Sequence, residues 1–182
     1  KWKKKIYIYY SGNIGKAQGL ENFLFAANKL KLKKIFFIFT GDGSEKKKLL
    51  KISKKLNLRN VVFTGSLNFE TVNEFLRHAK ASIISLKNDE LFNNYIPNKF
   101  QNYLISGKPM LVCAEGVLVK LVKKNKIGLT SKPGNIIKLV NNIVRIINMR
   151  EKELKLISRN SKNLFEKEFS SSIQQKKIIK FL

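Results

Sequence analysis

Apolar and polar positions along this chain follow a repeating block. A short, densely apolar run is followed by a longer stretch with apolar residues every three or four positions. Residues 6–11 (Ile6-Tyr7-Ile8-Tyr9-Tyr10-Ser11) form the first such run and predict a strand, while 20–30 have the period of an amphipathic helix. The block then recurs. Residues 34–40 (KIFFIFT) predict a second strand, and a basic helix capped by Ser44 runs through Leu56. Residues 60–64 are a third strand, followed by a helix over 70–80 with Val72, Phe75 and Leu76 on one face. Residues 81–86 are a fourth strand and 87–97 a polar, irregular loop. A helix over 98–106 closes on Gly107 as its C-cap. A strand at 109–113, a helix at 117–124 and a short strand at 127–130 come next, and helices fill the rest: about 135–149, 151–168 and a last one near the C-terminus.

Runs such as KIFFIFT, apolar on consecutive positions, suit strands covered on both faces, and strands separated by helices pair in parallel. The expected fold is α/β: a doubly wound, parallel, six-stranded sheet with helices on both faces, in one domain over 1–182. In such sheets ligands lie beyond the carboxyl ends of the strands, where the strand order reverses. With the order 3-2-1-4-5-6 that place lies between strands one and four. Two unusual loops would meet there: 12–19, and 87–97 with the Asn98-Lys99 that follows it.

The 182 residues are 43% apolar, enough for one core. No stretch approaches the roughly 20 apolar residues of a membrane-spanning helix, and no signal peptide is expected from these residues. Cys113 is the only cysteine, which excludes a disulfide within the chain. The chain starts at Lys1-Trp2, without an initiator Met, and enters a strand almost at once, so a further domain is expected upstream. The formal charge of +25 invites a nucleic-acid reading. Yet the basic residues are mostly Lys, spread over nearly every predicted helix, and Arg is scarce. Nucleic-acid recognition leans on Arg forks and stacked aromatics. The charge is therefore read as solvated helix faces, with attraction to an anionic membrane surface as the second option and nucleic acid as the third.

The chemistry concentrates in the loops. Gly12-Asn13-Ile14-Gly15-Lys16-Ala17-Gln18-Gly19 joins strand to helix, where glycine-rich backbone can approach an anion and the helix N-terminus favours negative charge. It is neither a Walker A loop nor a dinucleotide fingerprint, because the spacing is G-x-x-G-x-x-x-G. Glycines needed only for backbone shape remain an alternative. Gly41-Asp42-Gly43-Ser44 is a tight turn with a helix cap, and Thr64-Gly65-Ser66 could present backbone groups to a planar base edge or be an ordinary loop. Lys99 would fall in the first turn of a helix pointing at the crevice, a poor place for a cation unless an anion shares it. Asn102, one turn later, can donate and accept as a ribose diol requires, or be a plain surface residue. Glu115-Gly116 opens onto the same edge. His78, the only histidine, has no visible partner and is read as structural; no Cys/His cluster suggests zinc, and no Ser-His-Asp set can be built around it.

Taken in order, Gly12-Asn13-Ile14-Gly15 with Gln18-Gly19-Leu20-Glu21, Gly41-Asp42-Gly43, Asn60-Val61-Val62-Phe63-Thr64-Gly65, and Ile96-Pro97-Asn98-Lys99 through Gly107-Lys108-Pro109 resemble the C-terminal half of a GT-B glycosyltransferase. More narrowly they are similar to the retaining family-4 group that builds bacterial surface polysaccharides. The resemblance covers nearly the whole chain. It implies a Rossmann-like donor domain for a nucleotide-diphosphate sugar, UDP-linked by expectation, with no cofactor and no required metal. It implies an acceptor, a glycan or a polyprenyl-linked sugar, held by an N-terminal domain absent from this chain. It implies a cytoplasmic enzyme, with the inner face of the plasma membrane as a docking option.

By the same resemblance, Gly12, Asn13, Gly15, Lys16, Gln18, Gly19 and Lys99 would surround the diphosphate. Gly41, Gly43, Gly65, Ser66 and Asn102 would lie near the nucleoside, and Pro97 and Asn98 near the donor sugar. The chain departs from the pattern at its charges. The family's loop Arg and Lys fall on Asn13 and Gln18, and the two carboxylates of its E-x7-E pair fall on Asn94 and Asn102. Lys99, with Lys16 as a second candidate, is then left to neutralise the diphosphate. The chain by itself is expected to bind nucleotide weakly and to transfer no sugar. Two other readings compete: a non-catalytic basic module for anionic membrane or nucleic acid, and a sugar-nucleotide epimerase of the same shape.

Overall fold

A computed structural model describes residues 2–170 and 173. The helix expected near the C-terminus falls outside these described residues. Six strands form one parallel sheet: β1 (Ile6–Ser11), β2 (Ile35–Thr40), β3 (Val61–Gly65), β4 (Ala81–Ser85), β5 (Met110–Cys113) and β6 (Gly128–Ser131). Their order is β3-β2-β1-β4-β5-β6, the order expected from the alternation of elements. β1 pairs with β2 along its whole length, Ile6 to Ile35 through Ser11 to Thr40. With β4 it pairs only at Ile8–Ala81 and Tyr9–Ser82. Beyond Tyr9 the two strands part, and the crevice opens between their carboxyl ends.

The period-two alternation of β1 sets the two cores. Ile8 and Tyr10 point to the side packed by α1 (Glu21–Lys29), α2 (Lys46–Lys55) and α6 (Ile136–Ile147). Tyr7 and Tyr9 point to the side packed by α3 (Phe69–His78), α4 (Lys99–Ser106), α5 (Val117–Lys124) and α7 (Glu151–Glu168). Both faces of the sheet are thus covered, which is why its strands could be apolar throughout.

Element ends follow local chemistry. Asn68 and Asn135 accept the amides of Thr71 and Lys138 and cap α3 and α6. Gly107 ends α4 at φ +64°, as its position predicted. Ser44 does not cap α2, contrary to expectation. Glu45 occupies the cap position, because its amide is held by the Ile14 carbonyl at 3.0 Å, so the neighbouring loop sets where this helix begins.

Candidate functional site

The loop after β1 leans on the loop after β2. The amides of Gly12 and Ile14 donate to the carbonyls of Thr40 and Asp42 at 3.0 and 2.7 Å. The fit is close. A Cβ at Gly41 (φ +128°) would lie 2.0 Å from the Gly12 carbonyl oxygen, and one at Gly43 (φ +153°) 2.5 Å from that of Ile14. Lys16–Gln18 then form a single 3-10 turn, which Gly19 ends in the left-handed region at φ +53°. Two of the loop's amides are thus committed to its neighbour. Those of Asn13 and Gly15 have no partner among the described residues.

Across the crevice stands α4. Phe100, Tyr103 and Leu104 anchor it in the second core. The Tyr103 hydroxyl accepts the Ser11 amide at 3.0 Å, fixing the helix to the last residue of β1. Burial pushes the Tyr103 phenol up to about 12, so it stays neutral. This anchorage aims Lys99, the first residue of α4, back over the glycine loop. Its Nζ donates to the Tyr10 hydroxyl at 2.6 Å and to Gln18 Oε1 at 3.3 Å, and lies 3.9 Å from the Tyr10 ring centre. A Cβ at Gly12 would come within 3.1 Å of Nζ, so this glycine leaves room for the ammonium. The Tyr10 hydroxyl in turn donates to the Asn13 carbonyl.

Lys99 has no carboxylate partner among the described residues. Desolvation alone drives its ammonium down to about 7. The nearby acids are engaged elsewhere: Asp42 with Lys46 and Glu45 with Lys48, both at 2.8 Å. A half-buried lysine at a helix N-terminus and unpaired backbone amides therefore lie side by side, an arrangement suited to a phosphate-bearing anion.

The profile of the family described as Glycosyl transferases group 1 matches residues 1–163. The chain belongs to this family, whose fold is of the GT-B type. A protein of Escherichia coli (strain K12) described as a colanic acid biosynthesis glycosyl transferase, WcaI, is 33% identical over 112 residues, 62% of this chain and 27% of that protein. A Pseudomonas aeruginosa protein described as a glycosyltransferase, WbjE, is 26% identical over 140 residues, covering 76% of this chain and 35% of that one. The chain therefore spans about a third or less of these relatives. Among solved structures, Anabaena HepE in complex with UDP-glucose superposes with a TM-score of 0.81 at 18% identity, over 98% of this chain and 50% of that one. Membership of the group 1 glycosyltransferases weighs against reading the chain as a bare basic module.

The structure distributes the predicted residues of this group 1 domain unevenly. Gly12 and Gln18 meet Lys99 at the crevice, and Gly15 lies on the same loop against the Asn13 side chain. Asn13 contributes its carbonyl to Tyr10 and its side chain to the underside of the loop, where a Cβ at Gly15 would lie 2.8 Å from its Nδ2. Gly19 is buried and its carbonyl accepts from Ser85 Oγ and Asn22 Nδ2. Lys16 is exposed on the 3-10 turn. Gly41 and Gly43 back the first loop. Gly65 closes β3 at φ +77° with its carbonyl on the Gly41 amide, and Ser66 is exposed beside it. Pro97 is buried with its carbonyl on the Phe100 amide, and Asn98 is exposed. Asn102 is set apart from Lys99. It lines a groove of about 360 Å³ between α3 and α4 with Phe69, Asn73, Arg77 and Ile105.

Three residues at the crevice went unnoticed in the sequence. Tyr10 and Tyr103 looked like core aromatics; Tyr10 meets the site with its hydroxyl and ring face and Tyr103 with its hydroxyl. Lys87 lay in a loop with no pattern; its amide donates to the Ala17 carbonyl at 2.9 Å and its stem covers Gly19. Elsewhere, Glu115 pairs with Lys132 at 3.1 Å. The partner of His78 is its own helix, Nδ1 lying 2.9 Å from the Glu74 carbonyl.

Proposed function

We propose that this chain is the donor-binding half of a retaining glycosyltransferase of bacterial surface-polysaccharide synthesis. The observation that carries the reading is Lys99, a half-buried lysine without a carboxylate partner among the described residues, held over a glycine turn with unpaired amides. In this reading a nucleotide-diphosphate sugar lies in the crevice with its diphosphate between Lys99 and residues 12–19. The UDP-glucose bound to HepE favours uridine as the base. The names of WcaI and WbjE favour a surface-glycan acceptor.

The chemistry is electrostatic. When the bond between the sugar's anomeric carbon and the diphosphate oxygen breaks, its electron pair stays on that oxygen. The Lys99 ammonium and the amides of Asn13 and Gly15 stabilise the departing charge without reorganising. In this reading, as in the family resemblance, the diphosphate is neutralised by Lys99 and backbone amides. A separate N-terminal domain would hold the acceptor, a glycan or a polyprenyl-linked sugar, at the cytoplasmic face of the membrane. The test is thermal unfolding of the chain with and without UDP. Protection is expected in the native sequence and absent in Lys99→Ala. An equal shift in both would remove Lys99 from the diphosphate site.

A further inference from the structure

The ammonium of a lysine has three N–H donors and no acceptor. At Lys99 two of them are used within the chain. Nζ donates to the Tyr10 hydroxyl at 2.6 Å and to Gln18 Oε1 at 3.3 Å, and it lies 3.9 Å from the centre of the Tyr10 ring. The third N–H meets no acceptor among the described residues. Both acceptors are uncharged. They and the ring face hold the ammonium without cancelling its charge. A carboxylate in either place would hold it more tightly and leave little net charge for a ligand.

Tyr10 also reaches the glycine loop. Its hydroxyl donates its one proton to the Asn13 carbonyl, so toward Lys99 it only accepts. The amide of the same peptide unit, that of Ile14, donates to the Asp42 carbonyl at 2.7 Å. The peptide between residues 13 and 14 is thus fastened at both ends, and the amides on either side of it, those of Asn13 and Gly15, are the ones without partners. One hydroxyl therefore sets the lysine and the loop against each other. Tyr10 is itself fixed, fully buried with its ring 6.1 Å from that of Phe39. Gln18 is half-buried on the 3-10 turn that Gly19 ends.

We propose that Tyr10 and Gln18 are positioning residues of the donor site: two neutral acceptors that fix the Lys99 ammonium against the glycine loop and leave its charge and its third N–H to the diphosphate. The inference rests on the donor-site reading given above. It gives Gln18 a part played through Lys99 rather than a contact of its own with the ligand. It also accounts for an uncharged residue at this place. A lysine at position 18 would repel Lys99, and a glutamate would neutralise it; glutamine does neither.

Titration of the chain with UDP, followed by NMR, tests the assignment in single and double variants. Tyr10→Phe keeps the ring and loses the acceptor, and should weaken UDP binding roughly tenfold. Gln18→Met should weaken it roughly fourfold, and Gln18→Glu, which pairs with Lys99, roughly thirtyfold. In a Lys99→Met background there is no ammonium to hold. There Gln18→Met should cost less than about twofold and Tyr10→Phe less than about threefold, the remainder coming from the released Asn13 carbonyl. A merely structural role would give the same losses in both backgrounds, because independent effects add. Gln18 lies outside both cores, so its variants carry the test even if Tyr10→Phe fails to fold. Equal losses in the two backgrounds, or native-like affinity in Gln18→Glu, overturn the positioning role and leave the donor site standing. Absence of UDP binding by the native chain overturns the donor-site reading, and the positioning role with it.

Discussion

Lys99 and the lysines of α2 make an instructive pair. Helix α2 presents Lys47, Lys51, Lys54 and Lys55 to solvent, where water screens each charge. Lys99 is one cation, enclosed by a tyrosine, a glutamine and a glycine turn. The exposed group has far more charge, yet the enclosed residue has the stronger field, because little water competes with it. In a chain of formal charge +25, the count of basic residues says little about where an anion binds. Enclosure and the absence of an acidic partner say much more.

The contrast can be broken first at the surface Lys99 faces. Gly41→Ala puts a methyl group onto the Gly12 carbonyl in a backbone region alanine avoids. It should destabilise the chain by about 4 kcal/mol in urea unfolding and displace the loop. Lys99→Met keeps the apolar stem and removes the charge. It should weaken UDP binding about a hundredfold, or about 3 kcal/mol, in calorimetry.

The same substitution should make the empty chain more stable by about 2 kcal/mol near pH 6, a rise of a few degrees in Tm. The sign follows from proton counting. The folded Lys99 titrates near 7 against 10.5 for the free side chain, so between these values the unfolded chain binds more protons and stability rises with pH. Below pH 7 the full burden is present, and Lys99→Met should flatten this slope. The smallest effect sharpens the comparison from the other side. Replacing Lys47, Lys51 and Lys54 by Gln should change stability by less than about 0.5 kcal/mol each and leave UDP affinity at 150 mM salt within about twofold.

Much of this was legible in the sequence, for identifiable reasons. The strands of the sheet are buried on both sides, so apolar runs marked them, and right-handed crossovers left few orders to choose from. Lys99 stood out because a cation in the first turn of a helix is unfavourable without a partner. Tyr10 was hidden by its company. In Ile6-Tyr7-Ile8-Tyr9-Tyr10 every residue suits a core, and only strand length decides which hydroxyl emerges at the edge. Gly41 and Gly43 looked like an ordinary turn, since what they make room for lies on a different loop. Asn102 shares a helical stripe with Lys99, but the lysine's long stem reaches to the turn while the shorter amide stays beside α3. Side-chain reach, unlike periodicity, is not written in spacing.

The junction between α4 and α7 has a practical meaning. Ser158 of α7 sits so close to Gly107 that a Cβ there would lie 2.4 Å from its Oγ, and Phe169 meets the ring of Phe100 edge-on at 5.7 Å. The helix that carries Lys99 is therefore wedged from behind by residues far downstream. Anyone building a chimera to probe the proposed donor site would be tempted to cut just after Pro109, where the recognisable motif ends. Such a graft would carry the lysine across and leave behind the backstop that aims it, so the transplantable unit extends through Phe169.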